Sequence, residues 1–294
     1  MRFYRGALTA LTLTCAMATA LPVVAQPKKV TVGGRPAPDQ TVRLNIVQDA
    51  DLTMKPAEAA AGSPAGPMHL QAKTTTVATQ KVGTPDAKGA LKIEMTYEDI
   101  TQDMQMNGQP APPEAAQAAA AMKGKTLSML VDEAGNVIEV TPPADLPMPA
   151  EVIKDVLKQA LGLMPRQEIT VGETVTAPFA MAMPVPLPGA APPQMKGELK
   201  STLTGVTGAP GNEVAALAQE VTAAVDSTIP GPNGQGEIAI KMTVKGSGTT
   251  DWDVKGALVR ATKMTTNIDG TFTLPGVGAM EMTGTTVVSV SRVP

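Results

Sequence analysis

The chain has 294 residues, with 24 basic and 27 acidic side chains, a formal net charge of −3 and a single cysteine. The signs are interspersed and no basic run exceeds Lys28-Lys29, so the electrostatic footprint of a nucleic-acid binder is missing. Aromatic residues make up 2% of the chain while methionines number 18, so volume that Phe and Leu usually fill falls to Met, Val, Ile and Ala.

Arg2 and Arg5 make a positive start, an apolar run follows from Ala7 to Ala20, and Leu21-Pro22-Val23-Val24-Ala25 brings small residues before Gln26. This is the pattern of a secretory signal peptide, so residues 1–25 are expected to be removed and the mature chain exported, to the periplasm or beyond. No later run reaches the roughly 18 apolar residues of a membrane-spanning helix. Cys15 lies inside the apolar run, preceded by Thr12-Leu13-Thr14 rather than by leucine and small residues, which argues against lipidation. If it leaves with the leader, the mature chain has no disulfide and no thiolate.

Gln26–Gln40 carries Gly and Pro punctuation and little periodicity, and reads as a disordered tail. Thr41–Met54 is the first strand, alternating Val42, Leu44 and Ile46 with Arg43 and Asn45, and an Ala/Pro/Gly loop follows at 56–67. A Thr-rich strand at Met68–Val82 turns through Gly83-Thr84-Pro85-Asp86 into Gly89–Met106, where Leu91, Ile93, Met95 and Tyr97 share one face. Gln109–Met122 is open to a short helix or a loop. Gly124–Val140 is a hairpin around Asp132-Glu133-Ala134-Gly135. Pro149–Met164 is the best helix: Ile153, Val156, Leu157, Ala160, Leu161 and Met164 form one stripe, Glu151 suits the first turn, and Pro165 ends it.

The second half resembles the first. Met195–Val206 matches the strand from Met68, Ala209-Pro210 matches the turn at Pro85, and Asp253–Gly256 matches Asp132–Gly135, at offsets of 127, 125 and 121. Glu213–Asp226 is helical by propensity, with Val214, Leu217, Ala218, Val221 and Val225 on one stripe, but occupies the repeat's strand position. The repeat decides for a strand. Ile238, Ile240, Met242 and Val244 then alternate clearly, followed by strands at 257–268 and 278–290. The expected fold is mainly β (α+β): a curved or partly closed antiparallel sheet at 41–294, built as two duplicated units, 41–164 and 165–294, with one helix packed on a face.

The stretch PRQEITVGET at Pro165–Thr174, followed by a strand and then by the Gly-rich strand running into Asp253-x-x-Gly256, resembles a family of exported, uncharacterised bacterial β-rich proteins. More distantly, the G-K-T-L…D…G…V hairpin of Gly124–Val140 looks like the half-barrel lipoprotein carriers of the LolA and LppX kind, which hold acyl chains in an incomplete barrel. Neither resemblance brings catalytic residues with it.

No catalytic residue, metal site or cofactor is assigned. The one histidine, His69, ends a Pro/Gly loop with no G-x-S-x-G serine to serve. Glu94, Glu98, Asp99 and Asp103 lie opposite the apolar face, as a solvated surface does. Asp49-Ala50-Asp51 is too small a cluster for calcium. The pairs Met104/Met106, Met181/Met183 and Met280/Met282 suit Cu(I), yet alternation alone produces such pairs in a Met-rich core. The reading is therefore an exported, non-enzymatic binding or envelope-interaction protein, its partners an apolar or lipid-like molecule or an envelope protein. The expected groove residues are Met95, Tyr97, Met181, Met183, Met242, Met280 and Met282. The alternatives are a purely structural envelope module and a Met-rich Cu(I) binder.

Overall fold

The structure, a computed structural model, describes residues 28–57, 66–111, 121–143, 166–182, 193–230, 236–274 and 278–293. Among them every regular element is a strand. The first half supplies β1 (Lys29–Val32), β2 (Gln40–Pro56), β3 (Met68–Pro85), β4 (Leu91–Met106), the two-residue β5 (Gln109–Pro110), β6 (Thr126–Val131) and β7 (Val137–Thr141). The second supplies β8 (Gln167–Thr170), β9 (Thr174–Ala182), β10 (Gln194–Thr207), β11 (Val214–Pro230), β12 (Glu237–Asp253), β13 (Leu258–Leu274) and β14 (Gly278–Val293).

One antiparallel sheet runs β7-β6-β4-β3-β2-β14-β13-β12-β11-β10-β9, with β5 beside β4. It is a meander in which the last strand, β14, pairs with β2 from near the start, Val293 opposite Arg43. A separate two-stranded ribbon joins β1 to β8, Val30 opposite Ile169. Read along the sheet, β2-β3-β4-β6-β7 and β9-β10-β11-β12-β13 follow the same order with β14 between them. The Asp132–Gly135 and Asp253–Gly256 turns each join the fourth and fifth strands of their series.

Period-2 alternation gives the sheet two chemically distinct faces. On one, Ile238, Ile240, Met242 and Val244 of β12 lie level with Phe272, Gly270 and Ile268 of β13 and with Val225 and Ala223 of β11. The same face continues through Val288 and Val290 of β14, Leu44 and Ile46 of β2, and Ile93 and Met95 of β4. The other face carries Lys241, Lys245, Asp269, Glu281, Asp51, Lys73, Lys92 and Asp103.

The apolar face is concave. β6 and β12 are six strand spacings apart, roughly 29 Å if the sheet were flat. Yet a Cβ added to Gly135, in the β6–β7 turn, would touch Gly34 and Arg35, while the Ala37 amide donates to the Gly256 carbonyl at 3.0 Å in the β12–β13 turn. Three residues of extended chain reach about 10 Å. Only a curled sheet brings both turns within that reach. Glycines on the inward face permit the bend: Gly197, Gly246, Gly248, Gly270 and Gly284 each sit where a Cβ would lie within 2.7 Å of an atom on the neighbouring strand.

Two cores fill the concavity. β1 and β8 lie on β10–β12, where Val30, Val32 and Ile169 pack with Leu203, Ala215, Leu217 and Trp252. Val82, Leu91, Ile93, Leu127, Met129, Val131 and Val140 make the other core on β3, β4, β6 and β7.

Several expectations need correction. Residues 28–40 are no disordered tail: Lys29–Val32 is a strand and Val32 is fully buried. The four-residue KVTV is too short to show a period, and its partner lies in the second half of the sequence. The turn after β3 is Asp86–Ala90 rather than 83–86; the Asp86 carboxylate accepts the Lys88 and Ala90 amides and fixes it there. By contrast, the strand expected over Glu213–Asp226 is present: β11 begins at Val214, and Ala215, Leu217, Gln219, Ala223, Val225 and Ile229 alternate along it as buried residues. His69 is a strand residue of β3, not a loop residue. The expected helix at 149–164 lies outside the described residues.

Candidate apolar site

Between the two cores lies a cavity of about 320 Å³. Leu44 and Ile46 come from β2, Ile93 and Met95 from β4, Met129 and Val131 from β6, and Val290 from β14. Trp252, Leu258 and Val259 form the facing wall, and Gly33, Gly34 and Pro36 close one end. The volume is at the lower end of small-molecule pockets, and the lining is mostly aliphatic as such pockets are.

Few polar groups reach it. Gln80 comes from β3, Thr262 from β13, and Arg166, which donates to the Asn136 side-chain oxygen, from just before β8. Thr262 belongs to a buried polar row that crosses four strands. Its hydroxyl meets that of Thr250 at 2.8 Å, Thr250 donates to Gln219 Oε1 at 2.6 Å, and Gln219 Nε2 donates to Ser201 Oγ at 3.3 Å. Ser201, Gln219 and Thr250 are all buried, so the row satisfies groups that would otherwise be costly on this face.

Of the expected groove residues, Met95 lines the cavity. Tyr97 faces inward beside it and packs against the β3–β7 core; burial pushes its phenol pKa up. Met242 and Met280 are buried on the inward face but elsewhere along it. Met282 is half-buried on that face. Met181 sits in the edge strand β9, paired with Met195. Met183 lies outside the described residues. The sequence reading missed Trp252, Ile46, Met129 and Val290. Alternation placed several of them on apolar faces, but no local signal says which strands a curl brings together.

The outer face holds the carboxylates of β4, and Glu94, Glu98 and Asp99 are each engaged by a neighbour. Glu98 accepts Arg43 Nε at 2.8 Å and Thr79 Oγ1 at 2.5 Å. Asp99 pairs with Lys123 Nζ at 2.7 Å, and Lys92 lies 2.5 Å from Glu94. His69 Nε2 lies 2.7 Å from Asp51, which also accepts Gln71, and those two contacts hold the Asp51 carboxyl below its usual range. These exposed pairs contribute little to stability. Among the described residues no three His, Cys, Asp or Glu side chains group as a metal site, and no helix is long and apolar enough to cross a membrane.

No family model matches the chain, and no curated protein matches it. The two resemblances read from the sequence therefore gain no support. Among solved structures, a mutant of the Rh. blastica porin is similar at 9% identity, covering 86% of this chain and 100% of the porin, with a TM-score of 0.23. Pseudomonas aeruginosa OccD3 (OpdP) is similar at 8% identity over 94% of this chain and 97% of its own, with a TM-score of 0.22. Likeness at that level carries no argument about fold or function.

Proposed function

We propose that this chain is an exported, non-enzymatic binding protein that holds an apolar, lipid-like molecule in the cavity between its two cores. The observation that supports this is the distribution of chemistry across the sheet. The aliphatic face is turned inward around a cavity, and the lysines and carboxylates of the strands are turned outward. A membrane-spanning barrel has the opposite arrangement, an apolar band outside. Affinity would come from apolar area removed from water, at about 25 cal/mol per Å² before the costs of association.

The test is direct. Solvent extracts of the purified protein are examined by mass spectrometry, and binding of the apolar fluorophore N-phenyl-1-naphthylamine is titrated. Ile46 and Val290 face each other across β2 and β14 and both line the cavity, so Ile46→Trp with Val290→Trp should fill it. Binding is expected to fall at least tenfold while the far-ultraviolet dichroism is kept. Extracts free of lipid in repeated preparations, together with no fluorophore binding, would leave a purely structural module as the answer.

A second reading, Cu(I) binding, is favoured by one specific observation. Met282, Met54 and Met68 are direct cross-strand neighbours on the half-buried inward face of β14, β2 and β3. Neighbouring strands are about 4.8 Å apart, and thioethers suit Cu(I). Changing these three methionines to leucine keeps volume and removes sulfur. Cu(I) uptake under reducing conditions should then vanish, whereas Leu at Met104 and Met106 should leave it intact. Absence of uptake by the unaltered protein sinks this reading.

A further inference from the structure

Trp252, the only tryptophan of the chain, is 5% exposed and forms part of the cavity wall. Its indole Nε1 is buried and has no hydrogen-bond partner among the described residues. Indole N–H is a donor only, and a buried donor left unpaired costs free energy that a folded protein rarely concedes without a reason. Among the described residues two other buried side-chain polar atoms, Arg35 Nε and Gln102 Oε1, also lack a partner, but the polar row on the same face as Trp252 is satisfied. Thr250, two residues earlier on the same face of β12, is engaged on both sides by Gln219 and Thr262. The donors of that row are thus already directed at protein acceptors. Of the two unpartnered buried donors, Arg35 Nε and Trp252 Nε1, only the indole belongs to a residue that lines the aliphatic cavity.

We infer that the occupant is an acyl chain whose carbonyl oxygen accepts a hydrogen bond from Trp252 Nε1, its methylene chain lying against Leu44, Ile46, Met95 and Met129. This rests on the cavity reading above and narrows it from any apolar molecule to one with an acceptor at the head of the chain. The chemistry is an acyl carbonyl, and a free fatty acid and a lipid ester both supply it. A plain hydrocarbon fills the same space but leaves the indole unpaired, so it binds more weakly. Arg166 on the cavity lining adds positive charge, which separates the two sources: a carboxylate is drawn to it and an ester is not.

The experiment uses the mature chain labelled with ¹⁵N, which has a single indole N–H resonance, and three ligands of equal chain length: dodecane, methyl laurate and lauric acid. Methyl laurate and lauric acid are expected to move the indole resonance downfield, and dodecane to leave its proton shift nearly unchanged. In displacement of N-phenyl-1-naphthylamine, methyl laurate should bind about tenfold more tightly than dodecane. Trp252→Phe keeps an aromatic ring and removes the donor, so the preference for ester over hydrocarbon should disappear, whatever the change in wall shape does to the two affinities together. Lauric acid binding more tightly than methyl laurate identifies a fatty acid as the natural occupant, and equal binding an ester. An indole resonance that methyl laurate does not move, or equal affinity for ester and hydrocarbon, overturns the inference while the apolar cavity stands. If none of the three binds, the cavity reading falls with it. The resonance experiment needs no variant, so a Trp252→Phe chain that fails to fold does not shield the idea.

Discussion

Gly248 offers a sharp test of why the sheet curls. It sits mid-strand in β12, facing inward opposite Met264 of β13. A Cβ placed on it would lie 2.1 Å from the Lys263 carbonyl oxygen and 2.8 Å from Met264 Cα, where an ordinary contact begins at 3.4 Å. The obstacle is backbone, so no side-chain rotation relieves it, and the strands must part by about 1.3 Å. Overpacking of this kind costs about 1–3 kcal/mol. One or two weakened ladder hydrogen bonds add about 0.5–1.5 kcal/mol each. Gly248→Ala should therefore lose about 1.5–6 kcal/mol. Gly205 in β10 is the matched control: it has nothing within 4 Å of an added Cβ and no left-handed φ. Gly205→Ala should be neutral or gain about 0.4–1 kcal/mol by restricting the unfolded chain. Urea unfolding followed by Trp252 emission measures both. If the two alanine variants unfold at the same urea concentration, close strand approach at the inward glycines is not what shapes the sheet.

Ile169→Ala removes a fully buried side chain from the β1–β8 ribbon and should cost about 2–5 kcal/mol by urea unfolding, a loss no disordered segment would produce. Arg292→Met should destabilise by about 1–3 kcal/mol, because the guanidinium donates to Asp253 at 2.9 Å and to the Val259 carbonyl at 3.1 Å. Burial pushes the Asp253 carboxyl up, but the Gly256 amide and Arg292 outweigh it and hold it below the usual range. A depressed carboxyl contributes fully above its unfolded value, near pH 4, and loses that contribution as pH falls through its folded value. The acid limb of the stability curve should accordingly be shallower in Arg292→Met than in the unaltered chain. Tyr97 carries the opposite sign. Its phenol is raised by burial, so it favours the folded state below about pH 10 and that contribution is lost as pH rises further. Ultraviolet titration of a chain prepared without residues 1–25, in which Tyr97 is the one tyrosine, should show ionisation above that of the urea-unfolded chain.

What the sequence made legible follows the reach of each signal. Period-2 alternation marks β4 and β12 within a few residues, because each strand buries one face. It also competes with the helical stripe of 213–226, and wins there because β10 and β12 pair with both edges of β11 along most of its length. β1 escapes because two valines show no period until Ile169 arrives from the other half. The cavity escapes for the same reason on a larger scale. Met129 and Trp252 are ordinary apolar residues of separate hairpins until the sheet brings them to one space. Inward glycines such as Gly246 and Gly248 were visible as a Gly-rich strand, but their meaning needed the face they occupy.

The placement of β14 bears on how the chain is made. This strand lies in the middle of the sheet, paired with β13 on one edge and with β2 on the other. A chain emerging N-terminus first can zip β2 to β3 and β4 early, and β9 through β13 later, as two locally paired meanders. Their union waits for residues 278–293, whose partners in β2 lie at 43–56 and left the ribosome long before. Until then two long strand edges stand open, one at β2 and one at β13, each a template for wrong pairing. Molecules that lose those last residues would keep both meanders and the means to aggregate through them, so the closing strand guards solubility as well as shape.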